Sequence, residues 1–136
     1  MRAAVSVVVT AAVLAVATPA IAAFQDSAVA TATHTTTQLD APTGLTATAG
    51  CNGILPKVTL GWTATATTFA TGYDIYRAIG AGPSTLLTSV SPRTTVAYVD
   101  NAVLLLTTYH YIVKTRYAAW TKASATANAT TAGVCV

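Results

Sequence analysis

Val58-Thr59-Leu60-Gly61-Trp62 and Gly72-Tyr73-Asp74-Ile75-Tyr76-Arg77 are the two stretches that decide the fold. In each, a large side chain stands at every second position. A strand turns successive side chains to opposite faces, so this alternation describes two half-buried strands. Outward from them the same period returns in short runs. Leu45 to Thr48 is a weak strand, and Leu86 to Val90 is a short one closed by Pro92. Val96, Tyr98 and Asp100 alternate, as do Tyr109, Tyr111 and Val113, and Ser124 to Thr131 reads as a final polar strand. Gly80-Ala81-Gly82-Pro83 is a turn. From Ala41 onward no stretch has helical periodicity. Seven short strands without a long crossover predict an all-β antiparallel sandwich over residues 41–136.

The residues ahead of this region read differently. Met1-Arg2 is a short positive start, Ala3 to Thr18 carries no charge, and Pro19 precedes the small-residue run Ala20-Ile21-Ala22. This is the three-part pattern of a signal helix cut after residue 22. The uncharged run falls short of the roughly 20 residues that span a bilayer. A membrane is therefore involved only if the signal stays uncleaved as an anchor. Residues 23–40 form a Thr- and Ala-rich leader or an extra strand, with Val29, Thr31, Thr33 and Thr35 on one face when extended.

The whole chain has 136 residues, 53% hydrophobic and 8% charged, with a formal charge of +3. Seven Lys and Arg, scattered, do not form the dense basic patch that nucleic acid requires. Removing the signal leaves 114 residues, enough for one sandwich core without a metal. Export places the protein in an oxidising space, secreted or at a bacterial cell surface. Cys51 and Cys135 are the only two cysteines, so a single pairing exists, and a structural disulfide is its expected role.

The order of the aromatics resembles a fibronectin type III domain. Ala41-Pro42-Thr43-Gly44-Leu45 looks like that family's first-strand opening, and Val58-x-Leu60-x-Trp62 like its second strand. Gly72-Tyr73-x-Ile75-x-Arg77 looks like the third, and Thr107-x-Tyr109-x-Tyr111-x-Val113 like the sixth. The resemblance implies an immunoglobulin-like sandwich with Trp62 and Tyr73 in the core and Tyr109 as the tyrosine corner. It also brings Cys51, in the first loop, and Cys135, past the last strand, to one pole. Val103-Leu104-Leu105-Leu106 departs from the family, whose turn there carries Pro and Gly. Leu104, Leu105 and Leu106 either cap the core or form an exposed patch for a partner. More faintly, Ala23-Phe24-Gln25-Asp26-Ser27-Ala28 resembles the mature start of TasA/camelysin-type exported matrix proteins. That likeness implies self-association through residues 24–38.

No catalytic set stands out. Asp26, Asp40, Asp74 and Asp100 are far apart, Glu is absent, and His34 and His110 are isolated, with His110 expected to face outward. No nucleophile elbow, zinc motif or phosphate loop occurs, so no metal and no cofactor is implied. Asn128-Ala129-Thr130 fits a glycosylation sequon by chance composition. Tyr117 and Trp120, with Arg116 and Lys122 beside them, are placed in the loop between the last two strands. Trp120 either folds back on the core or is presented to a partner. The expected function is a secreted, non-enzymatic interaction or adhesion module displaying loops to a protein or a cell-surface polymer. The alternatives are a subunit of an extracellular fibre or biofilm matrix and a carbohydrate-binding accessory domain.

Overall fold

The computed structural model describes residues 37–136. The signal segment, His34, Asp26 and the leader up to residue 36 lie outside the described residues. Eight strands follow in order: β1 (Thr43–Asn52), β2 (Leu55–Thr63), β3 (Gly72–Ile79), β4 (Thr85–Val90), β5 (Ala97–Asp100), β6 (Thr108–Tyr117), β7 (Trp120–Ala123) and β8 (Ala127–Thr130). One sheet runs β1-β2-β5, and the other runs β4-β3-β6-β7 with β8 also on β6. All pairings are antiparallel.

The inward parity read from the sequence is the parity of the core. Val58, Leu60 and Trp62 from β2 meet Tyr73 and Ile75 from β3 and Tyr109, Tyr111 and Val113 from β6. Trp62 and Tyr73 pack edge to face, with ring centroids 5.5 Å apart, the arrangement that aromatic quadrupoles favour. Gly72 opens β3 because nothing larger fits. A Cβ there would stand 2.2 Å from the Val90 carbonyl oxygen.

Two strands differ from expectation. β1 has ten residues rather than four, because small residues serve as its inner face. Leu45, Ala47 and Ala49 pack against the core while Thr alternates outward. The final strand is two strands. β7 pairs with Lys114 to Tyr117, and β8 pairs with Thr108 to Tyr111, so both line the same edge of β6. Ser124 causes the break: its hydroxyl accepts the Val113 N–H at 3.1 Å and so takes the place of a backbone carbonyl in the ladder. The edge therefore starts at Trp120, four residues before the expected Ser124.

Residues ahead of Ala41 also belong to the domain. Leu39 is buried, and the Asp40 N–H donates to Thr67 Oγ1 at 2.8 Å while its carbonyl accepts from Thr65 Oγ1 at 2.8 Å. No helix among the described residues is long and apolar enough to cross a membrane.

Candidate functional site

The two ends of the sandwich differ in chemistry. At one end lie the start of β1, the β2–β3 loop and the β6–β7 turn. At the other lie the β1–β2 turn, the β5–β6 turn and the residues after β8.

The first end carries aromatics. Tyr117 closes β6 and Trp120 opens β7, and the two are cross-strand partners. They do not sit in a loop as expected. The connection is only Ala118-Ala119, and Ala118 takes a left-handed φ of 49° without the Gly or Asn that normally announces such a turn. Phe69 packs on Tyr117 edge to face at 4.9 Å. Trp120 is 60% exposed, so it is presented and does not fold back over the core. Lys122 lies on the same strand. On the opposite face of β6, Arg116 Nε is 3.1 Å from Asp74 Oδ1, without hydrogen-bond direction. Asp74 Oδ1 also accepts from Ser89 Oγ at 2.7 Å.

The second end is stapled. Cys51 and Cys135 form a disulfide across 84 residues of chain. Val103 is buried, but Leu104 and Leu106 are 67% and 79% exposed, and Leu105 also faces solvent. The turn therefore divides: Val103 caps the core and the three leucines stand outside it. Its backbone is held at four points. Leu104 N–H donates to the Tyr109 hydroxyl at 2.8 Å, the bond expected of a tyrosine corner. The Leu104 carbonyl accepts from Thr131 Oγ1, the Leu105 carbonyl from Thr107 Oγ1, and Leu106 N–H donates to the Ala132 carbonyl.

Beneath this turn is a network that the spacing of Asp residues did not reveal. Asp100 is buried. Its Oδ2 accepts from Arg77 Nη1 at 2.8 Å and from the Tyr111 hydroxyl at 2.9 Å, and its Oδ1 accepts the Ala102 N–H at 3.0 Å. Arg77 also donates to the Ala102 carbonyl and lies over the Tyr109 ring. Burial, the hydrogen bond to Asp100 and its charge together hold the Tyr111 phenol well above the ordinary tyrosine range. Burial pulls the Arg77 guanidinium down, but its bond to Asp100 and the carboxylate's charge outweigh this and raise it. The signal that finds this network is parity, because Arg77 continues the inward face of Tyr73 and Ile75. Its chemistry is structural: it fixes the loop after β5.

Among the described residues no three His, Cys, Asp or Glu side chains converge as metal ligands. His110 lies on the outer face as expected, with Nδ1 2.6 Å from Asn128 Oδ1.

No protein-family model matches the chain, and no curated protein matches it. Solved structures do. A crystal structure of a Fn3-like protein from Clostridium thermocellum is 27% identical, with a TM-score of 0.56, and the match covers 70% of this chain and 95% of that one. FN3tt is 18% identical at a TM-score of 0.55, covering 71% of this chain and 99% of that one. A structure of titin kinase and its flanking domains matches at 19% identity and a TM-score of 0.53, over 65% of this chain and 16% of that one. The all-β antiparallel sandwich of residues 37–136 agrees with these likenesses. Residues 37–136 are a fibronectin type III-like domain.

Proposed function

We propose that this protein is an exported, non-enzymatic display module whose binding surface is the β6–β7 hairpin. The observation that carries this reading is Trp120, a large aromatic held 60% exposed on a hydrogen-bonded strand. An exposed indole costs solvation and is useful where it can stack or be buried by a partner. Tyr117 flanks it, and Phe69 braces Tyr117, so the platform is rigid and needs little ordering on binding. Two cross-strand aromatics with Lys122 on the same strand suit a cell-surface polymer with sugar rings.

The test is retention of the purified protein on peptidoglycan sacculi, chitin and cellulose, with Trp120→Ala alongside. Retention of the parent on at least one polymer is expected, with at least a tenfold loss in the variant and an unchanged far-ultraviolet spectrum. Retention unaffected by the substitution would remove the hairpin from the binding surface. No retention by the parent on any of the three would remove the polymer.

A further inference from the structure

The stapled end of the sandwich carries an apolar surface that the display reading does not use. Ile54 and Leu55 sit at the β1–β2 turn, Leu104, Leu105 and Leu106 at the β5–β6 turn, and Val134 beside Cys135, and all six are exposed. They lie at one end of the sandwich and are linked there through the chain and the disulfide. Leu106 bonds to Ala132 and packs on Gly133. Val134 leads into Cys135, which is bonded to Cys51 at the foot of the Ile54–Leu55 turn.

Three features define what covers it. The first is size. Six aliphatic residues this exposed present on the order of 750 Å², close to the roughly 800 Å² each partner brings to a standard interface. The largest apolar patch on an ordinary monomer is about 300–600 Å².

The second is charge. Asp100 and Arg77 neutralise each other beneath the turn, and Lys57 points from the outer face of β2, its stem over Gly50. Arg93, Lys114, Arg116 and Lys122 belong to strands and loops running to the other end. The surface is built of uncharged side chains, so two identical copies can set it against itself without like-charge repulsion between those residues. It also lacks the cluster of Lys and Arg that an anionic lipid surface attracts.

The third is rigidity. Leu106 has a left-handed φ of 50°, a conformation costly for any residue with a Cβ, yet its side chain is 79% exposed. A glycine would satisfy that backbone without strain. The leucine is held outward in a fixed relief, because four backbone groups of Leu104, Leu105 and Leu106 are bonded inside the domain. A fixed relief fits another fixed relief. From these we infer that a second copy of this chain covers the surface, in a two-fold dimer joined end to end through Leu104, Leu106 and Ile54.

The test is sedimentation equilibrium of the oxidised protein up to about 100 µM, a range that resolves micromolar dissociation constants. A monomer–dimer equilibrium is expected. Leu106→Gly, which relieves the backbone, is expected to weaken it at least tenfold while the melting temperature holds or rises. Ile54→Asp, which places two carboxylates across the axis, is expected to abolish it. A protein that stays monomeric throughout overturns the inference, as does a dimer indifferent to both substitutions. Co-sedimentation of a monomeric protein with phosphatidylcholine vesicles, lost in Leu106→Gly, would assign the surface to lipid instead. The inference does not rest on the hairpin: Trp120→Ala leaves the dimer intact, and Leu106→Gly leaves polymer retention by single copies intact.

Discussion

Tyr111 shows how much one buried hydroxyl holds in place. Its proton serves Asp100, whose other bonds fix the Arg77 guanidinium and the loop backbone at Ala102. The folded chain keeps this phenol protonated above the ordinary range. Unfolded tyrosine releases its proton near pH 10. Stability is therefore full below about pH 10 and falls as the pH rises above it, because the unfolded state loses the proton first. Tyr111→Phe is expected to cost about 1.5–3 kcal/mol at pH 7, the worth of a hydrogen bond to a charged group. It should also flatten the alkaline limb of the stability profile. Urea titrations at pH 8 and 11 measure both. An equally steep limb in the variant would place the alkaline sensitivity in another group.

Single elements are where the sequence was partly legible. β2, β3 and β6 alternate large apolar and polar residues, and their core faces follow directly from Val58, Leu60, Tyr73, Ile75, Tyr109 and Val113. β1 and β7 escaped. β1 builds its inner face largely from Ala, which carries little signal, and the β6–β7 turn uses Ala118 in a conformation that no local residue announces. Trp120 was legible as a candidate for presentation, but its place on a strand was not. Leu104 to Leu106 stood out because a turn had been expected to be polar, while the choice between capping and exposure needed tertiary structure. The C-terminal stretch after β8 depends on its staple. Closing a loop with 84 residues of separation restricts the unfolded chain by about 4–5 kcal/mol in the entropic account. Reduction, or Cys51→Ser with Cys135→Ser, should lower the denaturation midpoint accordingly. The core at Trp62 and Tyr109 should remain native in the near-ultraviolet spectrum. An unchanged midpoint would mean that residues after Thr131 are held without the bridge.

At the largest scale, the two surfaces lie at opposite ends of the sandwich formed by residues 37–136. β1 runs from one end to the other, and ten extended residues cover about 33 Å. A dimer joined at the stapled ends therefore carries its two Trp120 hairpins at its outer tips, roughly 80 Å apart once loops are included. Such an object bridges two attachment points, and its avidity exceeds that of a single hairpin only where ligands are spaced to suit it. Shape distinguishes this arrangement from others of equal mass. A domain of this size has a radius of gyration of about 13 Å. Joining two end to end gives about 23 Å, whereas laying them side by side gives about 18 Å. X-ray scattering of the oxidised domain of residues 37–136, at concentrations where the dimer dominates, should return the larger value. Leu106→Gly should return the curve to the monomer at the same concentration. A dimer with the smaller radius would mean that association uses a sheet edge, such as β4 or β7, and that the leucines at the stapled end face something else.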